Sequence, residues 1–548
     1  MTMESEVLNY STQRMDHLGL VSATVQDLGL VELIDSHLLS DPKSHLSYGQ
    51  VVLAMLINGL GFTTRPMYLS PQFFENKPVE LLIGEGICAS DLNDYQFGKT
   101  LDGIYDYGCS KLFSALSSTI FLQEGLGMQV GHYDTTSLNV HGKGYESADE
   151  KAIKITFGYS KDHRQDLRQF MIGMMVEPSH GIPWLFQALD GNTSDKTHFQ
   201  TVASRLEKEA KASKEPMFLI ADSALFTEEG LKEIEQIDYL TRVPHNFGQA
   251  KALLSQYDRS DMKPSLIEGY AWKEQEVEIF GRKMRWLLVW SEQAYEREKQ
   301  TLARRISKQE KELANELRKL GRRKFGCQLD AENALRALIK QYSYLQLDQC
   351  EYLSKNKSQG VGRPKTDEVL TKVWKVKAKA KRADKVIEKK EAQLGKFILA
   401  TNILDHQKLP TSTILTSYKN QNQPEKGFRF LKSPLCMADA LYLNKPERIE
   451  ALSMVMCLAL MVYALGERKL RLGLKEVEET VPNQKGKPTP KPTLRWIFQC
   501  FEGITLLTIQ RPGQKIQRQM LNLNVVRRQV IAIFGPTAEK IYFLDFSP

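Results

Sequence analysis

The sequence predicts a multidomain α/β protein in which a mixed-sheet core is interrupted by a large β-plus-helical insertion and preceded by a helical N-terminal domain. Three observations carry that prediction. Apolar residues recur at helical spacing up to about residue 125. Strand-like runs then alternate with helices over 126–245. A strongly basic stretch follows before another apolar helix. At 548 residues the chain is long enough for several domains, and 42% hydrophobic residues supply sizeable cores.

Taken in order, Val21–Leu39 and Ser47–Leu60 read as helices, the second capped by Ser47; Asp91 or Asp94 caps the next helix, and Ile104–Phe121 reads as another. Residues 1–125 therefore form a helical domain, equally suited to binding DNA or to dimerisation. Met128–Val140 reads as a strand bearing Asp134. Gln169–Val176 and Pro183–Ala188 follow as a hairpin around Glu-Pro-Ser-His-Gly. Thr193 or Ser194 caps a helix to about Ala212, Met217–Ile220 is a short strand ending at Asp222, and Thr227 caps a helix before the strand Tyr239–Val243. These make the first part of the core, residues 126–245.

The insertion spans 246–395. Ser265–Ile279 and Lys283–Trp290 alternate as a hairpin. Ser291 caps a long helix with a Leu302, Ile306, Leu313, Leu317, Leu320 seam, and Asp330 caps a partner helix. Gln-Gly-Val-Gly-Arg-Pro-Lys within Lys355–Lys365 reads as a basic loop, and Lys372–Lys390 as alternating and then helical. Such basic faces are either solvated or in contact with phosphates. Gly395–Thr401 is a return strand, residues 396–475 complete the core, and 476–548 form a linker and C-terminal unit.

Composition narrows the function classes. The net charge of +8 is mild, but the basic residues cluster, which favours a polyanionic partner. Seven scattered cysteines without a Cys-x-x-Cys pair read as reduced cytosolic thiols. The N-terminus carries neither a basic region nor an apolar run, and Ala451–Leu465 is short for a bilayer span, so a soluble, cytoplasmic protein with no membrane partner is expected.

The candidate chemistry lies in three acids. Asp134 sits in a strand among Thr135, Thr136 and Ser137, Asp222 directly follows an apolar strand, and Glu425 belongs to Tyr418–Lys432. In that last stretch Tyr418, Gln421, Glu425 and Lys432 are separated by 3, 4 and 7 residues, which return to one side of a helix, with Pro424 as a point of kinking. Carboxylates at two strand ends and on a helix packed against them suit Mg²⁺, a hard cation that keeps waters for substrate phosphate. Two such ions can activate a water or a 3′-hydroxyl and stabilise the leaving oxygen.

The motifs His132-Tyr133-Asp134-Thr135-Thr136-Ser137, Gly158–Arg164, Gly191–Lys196, Ala221-Asp222-Ser223 and Tyr418–Lys432, in that order, together with Leu443–Glu450, carry a resemblance. The chain resembles insertion-sequence DDE transposases with an RNase H-like core and the Tyr-Arg-Glu-Lys signature (IS-four type, sixteen-thirty-four branch). The likeness covers about residues 125–470. It departs at Gln421, where the signature has Arg; an amide bonds a phosphate but brings no charge.

The resemblance implies that Asp134, Asp222 and Glu425 are catalytic and hold two Mg²⁺, with Mn²⁺ as a substitute, and that Tyr418, Gln421 and Lys432 bind DNA. It implies cleavage at the element's ends, strand transfer into target DNA, double-stranded DNA partners (terminal inverted repeats and target), a homodimer on DNA and a nucleoid-associated location. Two other readings stay open: a metal-dependent nuclease without strand transfer, and a non-catalytic transposase-derived DNA-binding protein. Strand-transfer and nicking assays separate them.

Overall fold

The structure, a computed structural model, describes residues 9–39, 44–62, 69–193 (except 143, 148, 161 and 163), 218–357, 371–419, 422–432, 443–510 and 516–544. The chain folds into two compact units: Met1–Leu240 with Ser417–Pro548, and Thr241–Thr416.

The first unit begins with strand β1 (Asn9–Arg14) and helices α1 (Leu18–Asp27), α2 (Leu30–His37), α3 (Tyr48–Leu60), α4 (Ser70–Phe74), α5 (Val79–Leu82), α6 (Asp94–Tyr107) and α7 (Cys109–Gln123). Ser47 caps α3 through a capping box: its Oγ accepts from Gln50 N at 3.1 Å, and Gln50 Oε1 accepts from Ser47 N at 3.0 Å. At α6 the cap is Asn93 and not either aspartate, because the Asn93 side chain accepts from Gln96 N at 3.1 Å while Asp94 is already the first helical residue. α3 crosses α2 closely at Gly49, where a Cβ would stand 2.3 Å from the Val31 carbonyl oxygen.

Next come β2 (Val130–Val140), β3 (Arg168–Val176), β4 (Pro183–Leu189), β5 (Phe218–Ala221), α8 (Glu228–Glu233) and β6 (Asp238–Arg242). Their spatial order is β4-β3-β2-β5-β6. β2 pairs antiparallel with β3 and parallel with β5, a mixed sheet as the sequence suggests. Nearly every residue of β3 is buried, so this strand is covered on both faces. The helix expected from Thr193 or Ser194 to about Ala212 lies outside the described residues.

The second unit holds α9 (Gly248–Gln256), β7 (Lys263–Pro264), β8 (Tyr270–Ile279), β9 (Arg282–Ser291), α10 (Glu292–Arg322), α11 (Gln328–Ile339), β10 (Leu345–Lys357), β11 (Thr371–Arg382), α12 (Asp384–Glu391) and β12 (Lys396–Thr401). β8 and β9 form the expected hairpin, joined by Phe280 and Gly281. Both have positive φ, 52° and 70°, as the two-residue hairpin turns that match strand twist require. Strands follow the order β12-β9-β8-β7. Ser291 caps α10, accepting from Ala294 N at 3.4 Å. The helix after it starts earlier than Asp330 suggests, because Cys327 Sγ accepts from Asp330 N at 3.4 Å. β10 and β11 form a separate antiparallel ribbon. One face of that ribbon, with Tyr352, Trp374, Val376 and Ala378, packs on Leu317 and Leu320 of α10 and Ala331 and Leu335 of α11. The basic loop at 358–370 lies outside the described residues.

The chain then forms α13 (Thr411–Lys419), α14 (Asn422–Leu431), α15 (Pro446–Glu476), β13 (Val481–Pro482), β14 (Pro488–Thr489), α16 (Leu494–Cys500), β15 (Thr505–Gln510), β16 (Gln517–Leu521), α17 (Val525–Phe534) and α18 (Pro536–Phe543). The linker read at Val481–Pro492 is partly a small hairpin, β13 with β14. α15 has the length and composition to cross a bilayer, 31 residues in all. Yet Ala451–Val462 is buried throughout, which makes α15 the central helix of the first unit. In that unit β15 lies between β1 and β16, and Gly19 of α1 lets the Tyr542 ring approach so closely that a Cβ would stand 2.6 Å from it.

Candidate active site

Asp134 lies within β2, half-buried, and its Oδ1 accepts from Thr135 N at 2.7 Å. Asp222 is the first residue beyond β5, and its Oδ1 accepts from Ala224 N at 2.8 Å. The register brings the two together: Tyr133 of β2 pairs with Ala221 of the parallel β5, so the aspartates follow at the same level of neighbouring strands.

Glu425 is on α14 and exposed. α14 packs on the sheet and on α15 at Gly427, where a Cβ would meet Leu460 Cδ2 at 2.9 Å and Met174 Cε at 3.0 Å. Asp134, Thr135, Thr136 and Glu425 line one cavity of about 900 Å³. Asp222 is not among its lining residues. No three His, Cys, Asp or Glu side chains among the described residues are gathered closely enough to hold a metal ion. The donor chemistry, three carboxylates with two in strand register, fits a hard divalent cation. Cavity and register each join Asp134 to one other acid, but they do not draw all three into one cluster.

Tyr418 belongs to α13 and Glu425 to α14, and the two residues between these helices, 420 and 421, lie outside the described residues. Pro424 lies in the first turn of α14, where a proline costs no helical hydrogen bond. Tyr418 does not line the cavity, and Gln421 lies outside the described residues. Lys432 does line it, and its Nζ is bound to both Asp162 oxygens at 2.8 and 2.7 Å.

Asp162 sits in the Gly158–Arg164 motif, whose shape the structure explains. Ser160 Oγ accepts from Asp162 N at 3.3 Å and Arg164 N at 3.2 Å. Gly158 and Gly191, from two separate motifs, meet at Gln169: its Nε2 donates to Gly191 O at 2.7 Å, and a Cβ on Gly158 would lie 2.1 Å from that oxygen. Only glycine allows that approach.

Sequence reasoning missed Ser179 and His180 of the β3–β4 turn, and Lys426, Arg429, Tyr463, Arg471 and Arg495, all of which line the cavity. Arg429 had a signal, since it lies one helical turn past Glu425. Burial pushes the nearby Glu177 carboxyl up. Hydrogen bonds from His180 and Ser179 outweigh that and hold it down at about 2, fixing the turn. His132 is fully buried with neither ring nitrogen bonded among the described residues, and burial lowers its pKa to about 4.

A family described as "Transposase DDE domain" matches residues 125–462, more than half of the chain. The chain belongs to the DDE transposase family. Ahead of the match, residues 10–118 of this DDE transposase correspond to a domain of unknown function, DUF4277. No curated protein matches the transposase. Among solved structures it is similar to a piggyBac transposase synaptic complex with hairpin DNA, determined by cryo-EM. That likeness has 9% identity over 90% of this chain and 82% of that chain, and a TM-score of 0.37.

Proposed function

We propose that this transposase cleaves the ends of an insertion sequence in a metal-dependent reaction and transfers the strand to target DNA. The observation that carries the reading is the pair of relationships at Asp134: strand register with Asp222 and a shared cavity with Glu425. Asp134, Asp222 and Glu425 would hold two Mg²⁺, or Mn²⁺, in an RNase H-like core. The ions, when bound, supply an activated water or 3′-hydroxyl and charge stabilisation for the leaving oxygen. A closing of α14 toward Asp134 of β2 and Asp222 beyond β5 would complete the set.

The chain's own groups would bind and orient the DNA. Tyr418, Gln421 and Lys432 would contact its backbone or a distorted base beside the scissile phosphate, Lys432 exchanging Asp162 for a phosphate. The insertion, 246–395, would add basic surface, and 1–125 would bind DNA or the second copy of a homodimer.

The test is a synthetic duplex carrying the DNA that flanks this gene, incubated with the full chain and Mg²⁺. The expected result is a nick at the element boundary, followed by joining of the 3′ end to a second duplex. Nicking without joining would leave a nuclease. DNA binding without nicking at any metal concentration would leave a transposase-derived binding protein.

A further inference from the structure

We propose that Arg429, with Lys426 beside it, is the DNA-phosphate contact of this cavity that is already free to act. The proposal rests on the reading of the cavity as a DNA cleft. It assigns a residue that the Tyr-Arg-Glu-Lys pattern does not contain.

The exposure pattern of α14 places it. Pro424, Gly427, Phe428 and Leu431 are buried, while Glu425, Lys426 and Arg429 are exposed. Glu425 and Arg429, four residues apart, share a helix face and line the same cavity as Asp134. A phosphate reaching the acids therefore comes within range of a guanidinium on the same rigid element.

The other cations of the cavity are engaged. Lys432 is held by Asp162 at 2.7 Å. Arg471 pairs with Glu467 at 2.6 Å and donates to the Pro492 carbonyl at 3.0 Å. Arg495 lies over the Phe62 ring at 5.9 Å. By contrast, no hydrogen bond, ion pair or ring contact engages Lys426 or Arg429 among the described residues. Lys432 must give up a carboxylate before it can take a phosphate, and Arg429 need not. A guanidinium also matches a phosphate with two parallel N–H bonds, which an ammonium cannot do. It supplies the planar charge that Gln421 lacks at the signature's arginine position. A solvated helix face accounts for the exposure of these two cations, but not for their place in the cavity beside Asp134.

The experiment uses the full chain and the same flanking duplex, with affinity measured against KCl concentration and nicking measured in Mg²⁺. Arg429→Ala should lower the slope of log affinity on log salt by about 0.9, one phosphate contact, and weaken binding roughly tenfold at low salt. Arg429→Lys should restore the slope but not the full affinity, a split that a purely structural role would not give. Lys432→Ala should change the slope less. If the wild type nicks and Arg429→Ala matches it in slope, the assignment is wrong and the transposase reading stands. If the wild type neither binds nor nicks the duplex, the reading of the cavity falls and this assignment with it.

Discussion

Tyr133 of β2 and Ala221 of β5 are partners in parallel register, and the residues that follow them are Asp134 and Asp222. Two acids 88 residues apart in sequence thus stand side by side, Asp134 within β2 and Asp222 just beyond the end of β5. A site built on this pair depends on both carboxylates and on Glu425 across the cavity.

Asp134→Ala, Asp222→Ala and Glu425→Ala should each reduce metal-dependent nicking below detection, with affinity for the flanking duplex within about threefold of wild type. On the proposed reading the acids would ligate metal and would not anchor DNA. Asp222 is the informative member because it stands outside the cavity lining. Full nicking by Asp222→Ala would remove it from the site and leave its bond to Ala224 N as a turn contact.

The exposed face of β11 gives a second prediction. Lys375, Lys377, Lys379 and Lys381 alternate along the strand, all exposed, while Val376 and Ala378 between them pack on the helices. Two of the four have acidic neighbours: Glu351 lies 4.0 Å from Lys377, and Asp348 lies 3.1 Å from Lys381. Replacing all four with Gln should lower the salt slope of DNA binding by about 2 to 4 if this ladder meets a DNA backbone. Lysines also protect strand edges from pairing with other chains. Unchanged DNA affinity together with new aggregation would assign them that protective role.

Much of this was legible in the sequence, and the limits have physical causes. The β2, β3, β4, β5 and β6 segments, the Ser47 and Ser291 caps and the β8–β9 hairpin all announce themselves through local patterns, alternation and cap chemistry. The place of Pro424 in the first turn of α14 agrees with the kinking point read there, since proline is tolerated at a helix start and not in its interior. The Lys432–Asp162 pair was not readable, because it joins residues 270 apart and nothing local marks Asp162 as a partner. Arg429 had one local mark, its place a helical turn past Glu425, but a lone arginine on an exposed helix looks like solvated surface until the cavity beside it is known.

The second unit contains a buried cation whose loss should be costly. Arg285 is 1% exposed; it bonds Glu274 Oε1 at 2.6 Å and the carbonyls of Ile403 and Leu409 at 3.1 and 2.9 Å. Thr411 Oγ1 donates to the other Glu274 oxygen at 2.5 Å. Arg285→Ala would leave Glu274 with only Thr411 and His406 beside it and would take a donor from two buried carbonyls, a loss of about 3 kcal/mol. Thermal unfolding and limited proteolysis of the full chain should show early opening within 241–416. Arg285→Met combined with Glu274→Gln should recover part of the loss, since no unpaired charge remains buried. Equal stability of Arg285→Ala and wild type would mean that water satisfies the stranded groups.

Glu450, at the start of α15, should make the first unit less stable as pH rises toward neutrality. Burial pushes its carboxyl up from 4.5 to about 7. A hydrogen bond with Cys109 opposes the shift, and the carboxylates of Asp149, Asp190 and Glu447 reinforce it. A carboxyl whose folded pKa exceeds its unfolded value binds more protons in the folded state between the two. Its stabilising effect is therefore complete below about 4.5 and is lost as pH climbs through about 7. The full shift corresponds to at most about 3 kcal/mol. Glu450→Gln keeps the shape and removes the titration, so its melting temperature should fall less than that of wild type between pH 5 and pH 8. The difference between the two proteins cancels the titration of every other group. Parallel melting curves across that range would show that water or a movement of α15 relieves the charge on Glu450.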